Sequence, residues 1–296
     1  MKKILVVGTA VVDFVFRLQE MPKKPEKYRA HDAQIIGGGM AANAAVAIAK
    51  LGGQPQLASR LGDDMIGDLI AKDLREFGVD LEYTQHIAGA HSSYSSVYID
   101  ANGERQIVNF CGQDLACDGT YLRTIPACDA VLVDTRWVAG AQIALQCAQN
   151  WGVPGILDGE PPIDQSLLSL AQYKCLPMQG FRALVGNDDI MEGLRALQKQ
   201  YGGVVSVSDG ANGVFYYDDT AHGHIPAIAV DAVDTNGCGD IWHGAFALSM
   251  ADGGDTVKAI EFSNAAAACK CRGFGARAAC PDHTMVTGLL KENGIA

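Results

Sequence analysis

Apolar and polar positions along the chain alternate between short strand-like runs and longer helix-like segments. Residues 4–7 (Ile-Leu-Val-Val) form a continuous apolar run, typical of a strand covered on both faces of a parallel sheet. Residues 37–50 predict a glycine turn that opens a helix of small residues, and Gly52-Gly53 ends it. The alternation continues over residues 65–77, 130–133, 141–151, 155–157, 191–201 and 204–208. This pattern predicts a doubly wound α/β core.

Two stretches do not follow this alternation. Residues 27–35 are polar and extended, and residues 92–99 and 105–110 flank an Asn102-Gly103 turn, which predicts a β-hairpin. Strands outside the alternating core indicate a small β-sheet at its edge, built from about residues 12–36 and 91–110. We therefore expect one domain over residues 1–296, with this small sheet as a lid.

Composition excludes several classes of protein. The 296 residues carry a net charge of −11, which argues against the basic surface that nucleic-acid binding requires. No apolar run reaches the roughly 18 residues that a membrane-spanning helix needs. The start of the chain predicts a buried strand rather than a signal peptide, because its apolar run breaks at Gly8. Nine scattered cysteines without a CxxC pair indicate reduced thiols in a cytoplasmic protein.

The segment from Asp234 to Asp240 (Asp-Thr-Asn-Gly-Cys-Gly-Asp) carries the clearest chemistry. Small residues precede an acid at the predicted start of a helix, where backbone N–H groups and the helix dipole favour an anion. Such a turn suits the oxygens of a phosphoryl group during transfer, and a carboxylate there can accept the proton of an attacking hydroxyl. From the residues alone, Asp240 could equally be a helix cap.

This segment resembles the DTxGAGD signature of the PfkB/ribokinase family of carbohydrate kinases, with Cys238 in place of the usual Ala. Three further stretches resemble family motifs in the family's order. They are residues 37–43 (Gly-Gly-Gly-Met-Ala-Ala-Asn), 60–67 (Arg-Leu-Gly-Asp-Asp-Met-Ile-Gly) and 262–268 (Phe-Ser-Asn-Ala-Ala-Ala-Ala). The resemblance implies a ribokinase-like three-layer αβα sandwich with a small β-sheet lid. It also implies ATP as phosphoryl donor and Mg²⁺.

The resemblance further implies the roles of individual residues. Asp240 would be the catalytic base, and the amides of Asn236, Gly237, Cys238 and Gly239 would form the anion hole. Asp13, placed at the end of the first strand, would bind sugar hydroxyls together with Gly38, Gly39 and Asn43. A turn residue at a strand end is the alternative for Asp13.

On the nucleotide side, residues 208–213 (Ser-Asp-Gly-Ala-Asn-Gly) resemble the family's TxGxxG loop. The resemblance assigns Ser208, Gly210 and Gly213 to the phosphates, and Asn264 and Ala267 to the nucleotide-side helix. The family's NxxE motif is matched only by Asn187, because Ile190 replaces its Glu; Asp188 or Asp189 could supply the carboxylate. The metal ligands therefore stay unassigned. A potassium requirement stays open, since such sites use backbone oxygens.

Competing nucleotide folds lack their signatures. The chain has no GxxxxGK[ST] loop, so it does not match a P-loop NTPase. Gly37-Gly38-Gly39 lacks the GxGxxG spacing of a dinucleotide fold. The seven histidines form no HExxH or other metal-binding pattern. These absences leave the kinase interpretation without a rival nucleotide motif.

Three residues suggest an acceptor with an anionic group: Lys27 in the first lid segment, Asn109 at the end of the hairpin, and Arg136 after a predicted buried strand. A guanidinium at a strand's carboxyl end suits bidentate recognition of a phosphate or sulfonate. The alternatives are a solvated lysine at a sheet edge and an arginine paired with Asp134 or Asp158.

Together with residues 157–159 (Leu-Asp-Gly) and 275–282 (Gly-Ala-Arg-Ala-Ala-Cys-Pro-Asp), these residues resemble the sulfofructose kinase branch of the family. Those enzymes phosphorylate the 1-hydroxyl of 6-deoxy-6-sulfofructose. A ribokinase, fructokinase, other sugar-phosphate or nucleoside kinase remains an alternative, as does a catalytically silent binding protein. The lid sheet suggests a homodimer that pairs through it.

Overall fold

The computed structural model describes residues 1–186 and 189–295. A large sheet holds eight strands in the order β14-β13-β12-β11-β10-β9-β1-β4. These are β1 (Lys3–Val7), β4 (Gln54–Ala58), β9 (Ala130–Val133), β10 (Gly155–Asp158), β11 (Tyr173–Pro177), β12 (Val204–Ser208), β13 (Val214–Tyr217) and β14 (His222–Ile225). The six strands from β4 to β12 in this order run parallel, and β13 and β14 are antiparallel additions at one edge. The doubly wound core predicted from the sequence is thereby confirmed.

Helices cover both faces of the large sheet. They are α1 (Met40–Lys50), α2 (Met65–Glu76), α3 (Val138–Trp151), α4 (Gln165–Leu170), α5 (Met178–Val185), α6 (Ile190–Tyr201), α7 (Cys238–Ala251), α8 (Thr256–Cys271) and α9 (His283–Glu292). One apolar core joins the sheet to α1, α2, α7, α8 and α9, and a second joins the opposite face to α3, α4, α5 and α6. Two buried cores on one sheet make the three-layer αβα arrangement.

Small residues allow α1 and α7 to pack unusually closely. A Cβ at Gly244 of α7 would lie only 2.5 Å from the carbonyl oxygen of Ala44 in α1. Five of the six alanines of α1, all except Ala49, are almost completely buried. Close packing of the two helices brings Asn43 and Asp240, which are far apart in sequence, next to each other at the same end of the sheet.

A separate sheet of four strands lies at the edge of the core, in the order β3-β2-β7-β8. Its strands are β2 (Val11–Arg17), β3 (Asp32–Gly38), β7 (Tyr94–Ile99) and β8 (Arg105–Phe110). A further pair, β5 (Arg60–Gly62) and β6 (Gln85–Ile87), forms a two-stranded ribbon. The hairpin predicted around Asn102-Gly103 is confirmed, since β7 and β8 pair antiparallel from Ile99 opposite Arg105 onward.

One sequence-based placement in the small sheet was wrong, and another is refined. Asp13 does not end the first strand: β1 stops at Val7, and the chain leaves the large sheet to enter β2, in which Asp13 is an interior residue. The extended segment predicted over residues 27–35 becomes a strand only from Asp32. The sequence does not show where one sheet ends and the next begins, because residues 3–7 and 11–17 are both rich in β-branched and other apolar residues.

The small sheet has two chemically different faces. The inner face carries Arg105 and Arg17; Arg105 pairs with Asp234 at 3.2 Å, and the Arg17 guanidinium lies 4.7 Å from the ring centroid of Phe274. The outer face exposes large apolar side chains on neighbouring strands, namely Ile35, Tyr94, Val108 and Phe110. The inner face is thus turned toward the loops at the start of α7 and the end of α8.

Among the helices that the structure describes, none is both long and apolar enough to cross a membrane.

Candidate active site

The turn before α7 presents free backbone amides. Gly237, the N-cap, has φ +74°, a conformation that a residue with a Cβ rarely adopts. Of the four amides predicted to form the anion hole, that of Asn236 donates to Asp234 Oδ1 and that of Cys238 to the Thr235 carbonyl. Within the described residues, the amides of Gly237, Gly239 and Asp240 have no hydrogen-bond acceptor. Three unpaired N–H groups at a helix N-terminus suit an anion.

Asp240 lies in the first turn of α7, partly exposed beside these amides. Asn43 Nδ2 donates a 2.7 Å hydrogen bond to its Oδ2 atom. Burial and the nearby Asp158 carboxylate raise the pKa of Asp240 to about 7, although the Asn43 hydrogen bond acts in the opposite direction. A carboxylate with a pKa near neutrality is a better proton acceptor than an ordinary aspartate, and it is still ionised in a large fraction of molecules at neutral pH.

Arg277 fixes Asn43 from behind. Its Nε donates to Asn43 Oδ1 at 2.9 Å, one terminal nitrogen donates to the Gly38 carbonyl at 2.7 Å, and the other pairs with Asp73. A Cβ at Gly37 would lie 1.9 Å from this guanidinium, so the glycine motif makes room for it. Arg277 belongs to residues 275–282, one of the segments that resemble the sulfofructose kinase branch, but its contact with the glycine motif was not predicted from the sequence.

A second charged pair lies next to Asp240. The Nδ1 atom of His243 is 3.1 Å from Asp158 Oδ2, in the geometry of an ion pair rather than of a hydrogen bond, and both side chains are buried. Burial alone would lower the pKa of His243, but Asp158 and the other nearby carboxylates outweigh it and raise that pKa. Asp158 ends β10, and Asp134 follows the neighbouring β9, so both lie at the carboxyl edge of the sheet where α/β proteins bind ligands.

A cavity of about 510 Å³ opens beside the anion hole. Residues from three separate regions line it: Ser208, Gly210 and Gly213 after β12, Asn264 and Ala267 on α8, and Cys238 and Gly239 on α7. Every nucleotide-side residue predicted within the described part of the chain thus borders one cavity. The amide of Asn264 already binds the Trp242 indole N–H and the Pro226 carbonyl, so this side chain shapes the wall.

The predicted metal-binding motif is only partly described. Asn187 and Asp188 lie outside the described residues, and Ile190 is the first residue of α6. Asp189 caps this helix by accepting from the Glu192 amide at 3.0 Å. The part of the chain that the structure describes contains no group of three or more His, Cys, Asp or Glu side chains that could hold a metal.

Asp13, Ser95 and Asn109 form a row across the inner face of the small sheet. Asp13 is opposite Ser95 on β7, and Ser95 is opposite Asn109 on β8. Asn109 Nδ2 donates to Ser95 Oγ at 3.0 Å. Burial raises the pKa of Asp13, against the effects of a Ser95 hydrogen bond and the charge of Arg277. Gly38 leaves space beside this row, because a Cβ there would lie 2.9 Å from Asp13 Oδ2.

The other two predicted anion-binding residues lie apart from this row. Arg136 follows β9, is exposed, and has a terminal nitrogen 3.7 Å from Glu160 Oε1. The alternative interpretation of Arg136 paired its side chain with Asp134 or Asp158; Asp134 instead accepts from the backbone amide of Arg136. Lys27 is exposed in the connection between β2 and β3. No hydrogen bond or ion pair among the described residues links Lys27 to Arg136 or Asn109.

Comparisons with known proteins identify the family of this chain. Ribokinase from Bacillus subtilis is 29% identical over 298 residues, covering 98% of this chain and 100% of the relative. A crystal structure of a provisionally assigned ribokinase from Agrobacterium tumefaciens has a TM-score of 0.90 and 34% identity, covering 100% of this chain and 99% of its own. Ribokinase from Arabidopsis thaliana, solved with ribose and ATP, has a TM-score of 0.88 and 26% identity, with coverages of 98% and 99%. The pfkB family of carbohydrate kinases matches residues 1–283, and the chain belongs to that family.

Proposed function

We propose that this kinase transfers the γ-phosphoryl group of ATP to a hydroxyl of a ketose-type sugar that carries an anionic group, such as the 1-hydroxyl of 6-deoxy-6-sulfofructose. The observation that carries phosphoryl transfer is the position of Asp240. Asp240 lies in the same turn as the unpaired amides of Gly237 and Gly239, and Gly239 borders the 510 Å³ cavity. A base, an anion site and a nucleotide-sized cavity therefore meet at the start of one helix.

The reaction follows from this arrangement. The acceptor hydroxyl oxygen attacks the γ-phosphorus while Asp240 takes the hydroxyl proton, and the bond between the γ-phosphorus and the bridging oxygen breaks to release ADP. The amides of Gly237, Gly239 and Asp240 stabilise the charge on the transferring phosphoryl oxygens. Asn43 holds the Asp240 carboxylate in place through its 2.7 Å hydrogen bond. The amides of Asn236 and Cys238 already donate hydrogen bonds within the turn, so they hold its shape and do not bind the phosphoryl oxygens.

ATP would occupy the cavity between the loop after β12 and the second half of α8. Ser208, Gly210 and Gly213 lie on one wall, and Ala267 and Asn264 on the other. Mg²⁺ usually reaches kinases on the triphosphate and needs only one or two protein carboxylates. Glu160, which follows β10 and has a half-exposed side chain, would hold it directly or through water. The ion would neutralise charge on the phosphate oxygens.

The small sheet would act as the lid over the acceptor. Asp13, Gly38 and Gly39 would face the sugar hydroxyls, since Asp13 lies on the inner face and the two glycines end β3 and cap α1. For the anionic group, Arg136 would supply a planar guanidinium, and Lys27 and Asn109 would complete the site on lid closure. Among the described residues, the Arg136 side chain pairs with one carboxylate, that of Glu160 at 3.7 Å, and this leaves donors of Arg136 for a ligand.

A neutral pentose is the second candidate acceptor, because relatives of comparable length are ribokinases and one was solved with ribose. A catalytically silent binding protein is disfavoured by the intact base and anion hole. The deciding experiment measures ADP release with ATP and Mg²⁺ over a panel of 6-deoxy-6-sulfofructose, fructose, fructose phosphates, ribose and nucleosides. The highest kcat/KM for an anionic ketose would support the proposal; a preference for ribose would reject the anionic acceptor, and no turnover would reject catalysis.

We also propose a homodimer that pairs through the outer face of the small sheet. Ile35, Val108, Tyr94 and Phe110 expose contiguous apolar surface there, which is costly to leave in water. Val108→Glu should convert a dimer to a monomer in sedimentation velocity, and wild-type protein sedimenting as a monomer would refute the pairing. The cysteines are all unpaired thiols, which supports a reducing, cytoplasmic setting.

A further inference from the structure

Lys270 places a fully buried ammonium group behind the anion hole. The residue lies in the last turn of α8, and none of its side chain is exposed. Its Nζ donates to the carbonyl oxygen of Asp234 at 2.7 Å and lies 3.4 Å from Asp234 Oδ2. A buried ammonium is unfavourable unless nearby oxygens compensate its lost hydration. Both compensating oxygens belong to the first residue of the segment that forms the anion hole.

Asp234 connects this ammonium to the turn that presents the amides. Its Oδ1 accepts from the Asn236 amide at 3.0 Å, and its Oδ2 accepts from the Gly275 amide at 2.9 Å. Burial alone would raise the pKa of Asp234, but these amides and the Lys270 charge outweigh it and hold the pKa below its ordinary value. Asp234 is therefore an ionised carboxylate that ties the residues just before Gly237 to the end of α8.

The oxygens around Lys270 are those that a monovalent cation would use. Potassium ions in proteins are bound by backbone carbonyl oxygens, and a carboxylate adds the opposite charge. Here the carbonyl and the carboxylate of Asp234 already hold an ammonium, whose single charge matches that of potassium. The residues present thus do not fit a potassium ion at this position, because Lys270 fills it.

We propose that Lys270 is a built-in monovalent cation that positions the anion-hole turn through Asp234, so that this kinase needs no potassium ion behind its anion hole. The proposal rests on the phosphoryl transfer proposed above. Lys270 is a positioning residue, since its ammonium contacts Asp234 and not the reacting atoms. Because the cation is covalently attached, it cannot be exchanged for ions in the medium.

The test compares KCl, NH₄Cl and tetramethylammonium chloride at equal ionic strength. Wild-type kcat should agree within about twofold in all three salts, whereas Lys270→Ala should lose activity and regain about tenfold in KCl or NH₄Cl. Lys270→Met, which fills the same space without a charge, should lose activity and show no rescue. The matched control is Lys258→Ala, an exposed lysine on the same helix, and it should behave like the wild type.

Melting temperature in the same salts supplies a readout that does not depend on turnover. Lys270→Ala should be stabilised by KCl or NH₄Cl relative to tetramethylammonium, and the wild type should not. If no acceptor is phosphorylated, the proposed reaction is rejected. The melting temperatures in the three salts still decide the role of Lys270. Potassium stimulation of the wild type above about fivefold would overturn the proposal. Should Lys270→Ala not fold, that wild-type measurement decides alone; a folded Lys270→Ala indifferent to every salt in both readouts would also overturn it.

Discussion

Asn43 Nδ2 and Asp240 Oδ2 are joined by a 2.7 Å hydrogen bond across 197 residues of sequence. The contact exists because α1 and α7 pack closely through alanines and Gly244, and because Arg277 holds the other end of the Asn43 amide. Asn43, a predicted sugar-binding residue, and Asp240, the candidate base, are therefore held in a fixed position relative to each other. The hydrogen bond also favours the ionised form of Asp240, which is the form that can accept a proton.

Replacing Asp240 with Asn should remove the proton acceptor while keeping the shape of the side chain. We expect kcat to fall by about 10² to 10⁴, the usual effect of losing a general base, while ATP affinity measured by calorimetry stays close to that of the wild type. Asp252→Asn, at the exposed C-terminal end of the same helix, is the matched control and should keep full activity. Near-normal turnover by Asp240→Asn would rule out the base mechanism.

The pH dependence of kcat/KM should follow the ionisation of Asp240. Because its pKa is raised to about 7, the carboxyl is mostly protonated below that pH, and kcat/KM should rise with pH and level off above it. Removing the hydrogen bond with Asn43→Ala should move the midpoint to higher pH. Removing a nearby negative charge with Glu160→Gln should move it to lower pH, measured at saturating Mg²⁺ because Glu160 is also the proposed ligand of that ion. Ionisation of ATP itself would be identical in all three proteins, so coincident profiles would assign the titration to the nucleotide.

The sequence predicted the parts of the site that are continuous along the chain. The turn before α7 and the glycine turn before α1 are local features, and the structure places both where the pattern indicated. Contacts between distant segments were not predictable in the same way. Arg277 reaches Asn43 across 234 residues, and His243 meets Asp158 only because β10 ends under α7. Such pairs depend on strand order, which the alternation of apolar and polar residues does not specify.

Substrate-dependent closure of the small sheet can be tested by hydrogen exchange. The pair between Arg105 on β8 and Asp234 connects this sheet to the anion-hole segment. With the true acceptor bound, amides of β7 and β8 should exchange more slowly, because closure excludes water from the site. Arg105→Gln should reduce that added protection and leave the protection of β9, in the buried large sheet, unchanged. Equal exchange of β7 and β8 with and without acceptor would mean that this sheet does not close.

Arg136→Ala tests whether the acceptor is anionic. Arg136 is exposed at the carboxyl end of β9 and pairs at 3.7 Å with Glu160, a contact between partly exposed groups that contributes little to folding stability. Its loss should therefore weaken binding rather than unfold the protein. With an anionic acceptor we expect kcat/KM to decrease by an amount equivalent to about 1.5–3 kcal/mol, the range of a charge-assisted hydrogen bond.

The comparison between acceptors makes this prediction decisive. Arg136→Lys should recover only part of the loss, because a lysine lacks the planar fork that binds two anion oxygens. A neutral sugar, where one is accepted, should be affected little, and Arg123→Ala is the matched control because that exposed arginine binds only Gln146 among the described residues. If Arg136→Ala impaired neutral and anionic acceptors equally and lowered the melting temperature, the arginine would be a structural partner of Glu160. The sulfosugar proposal would then lose its main support. Lys27 and Asn109, the other two residues proposed to bind the anionic group, are not in contact with each other among the described residues.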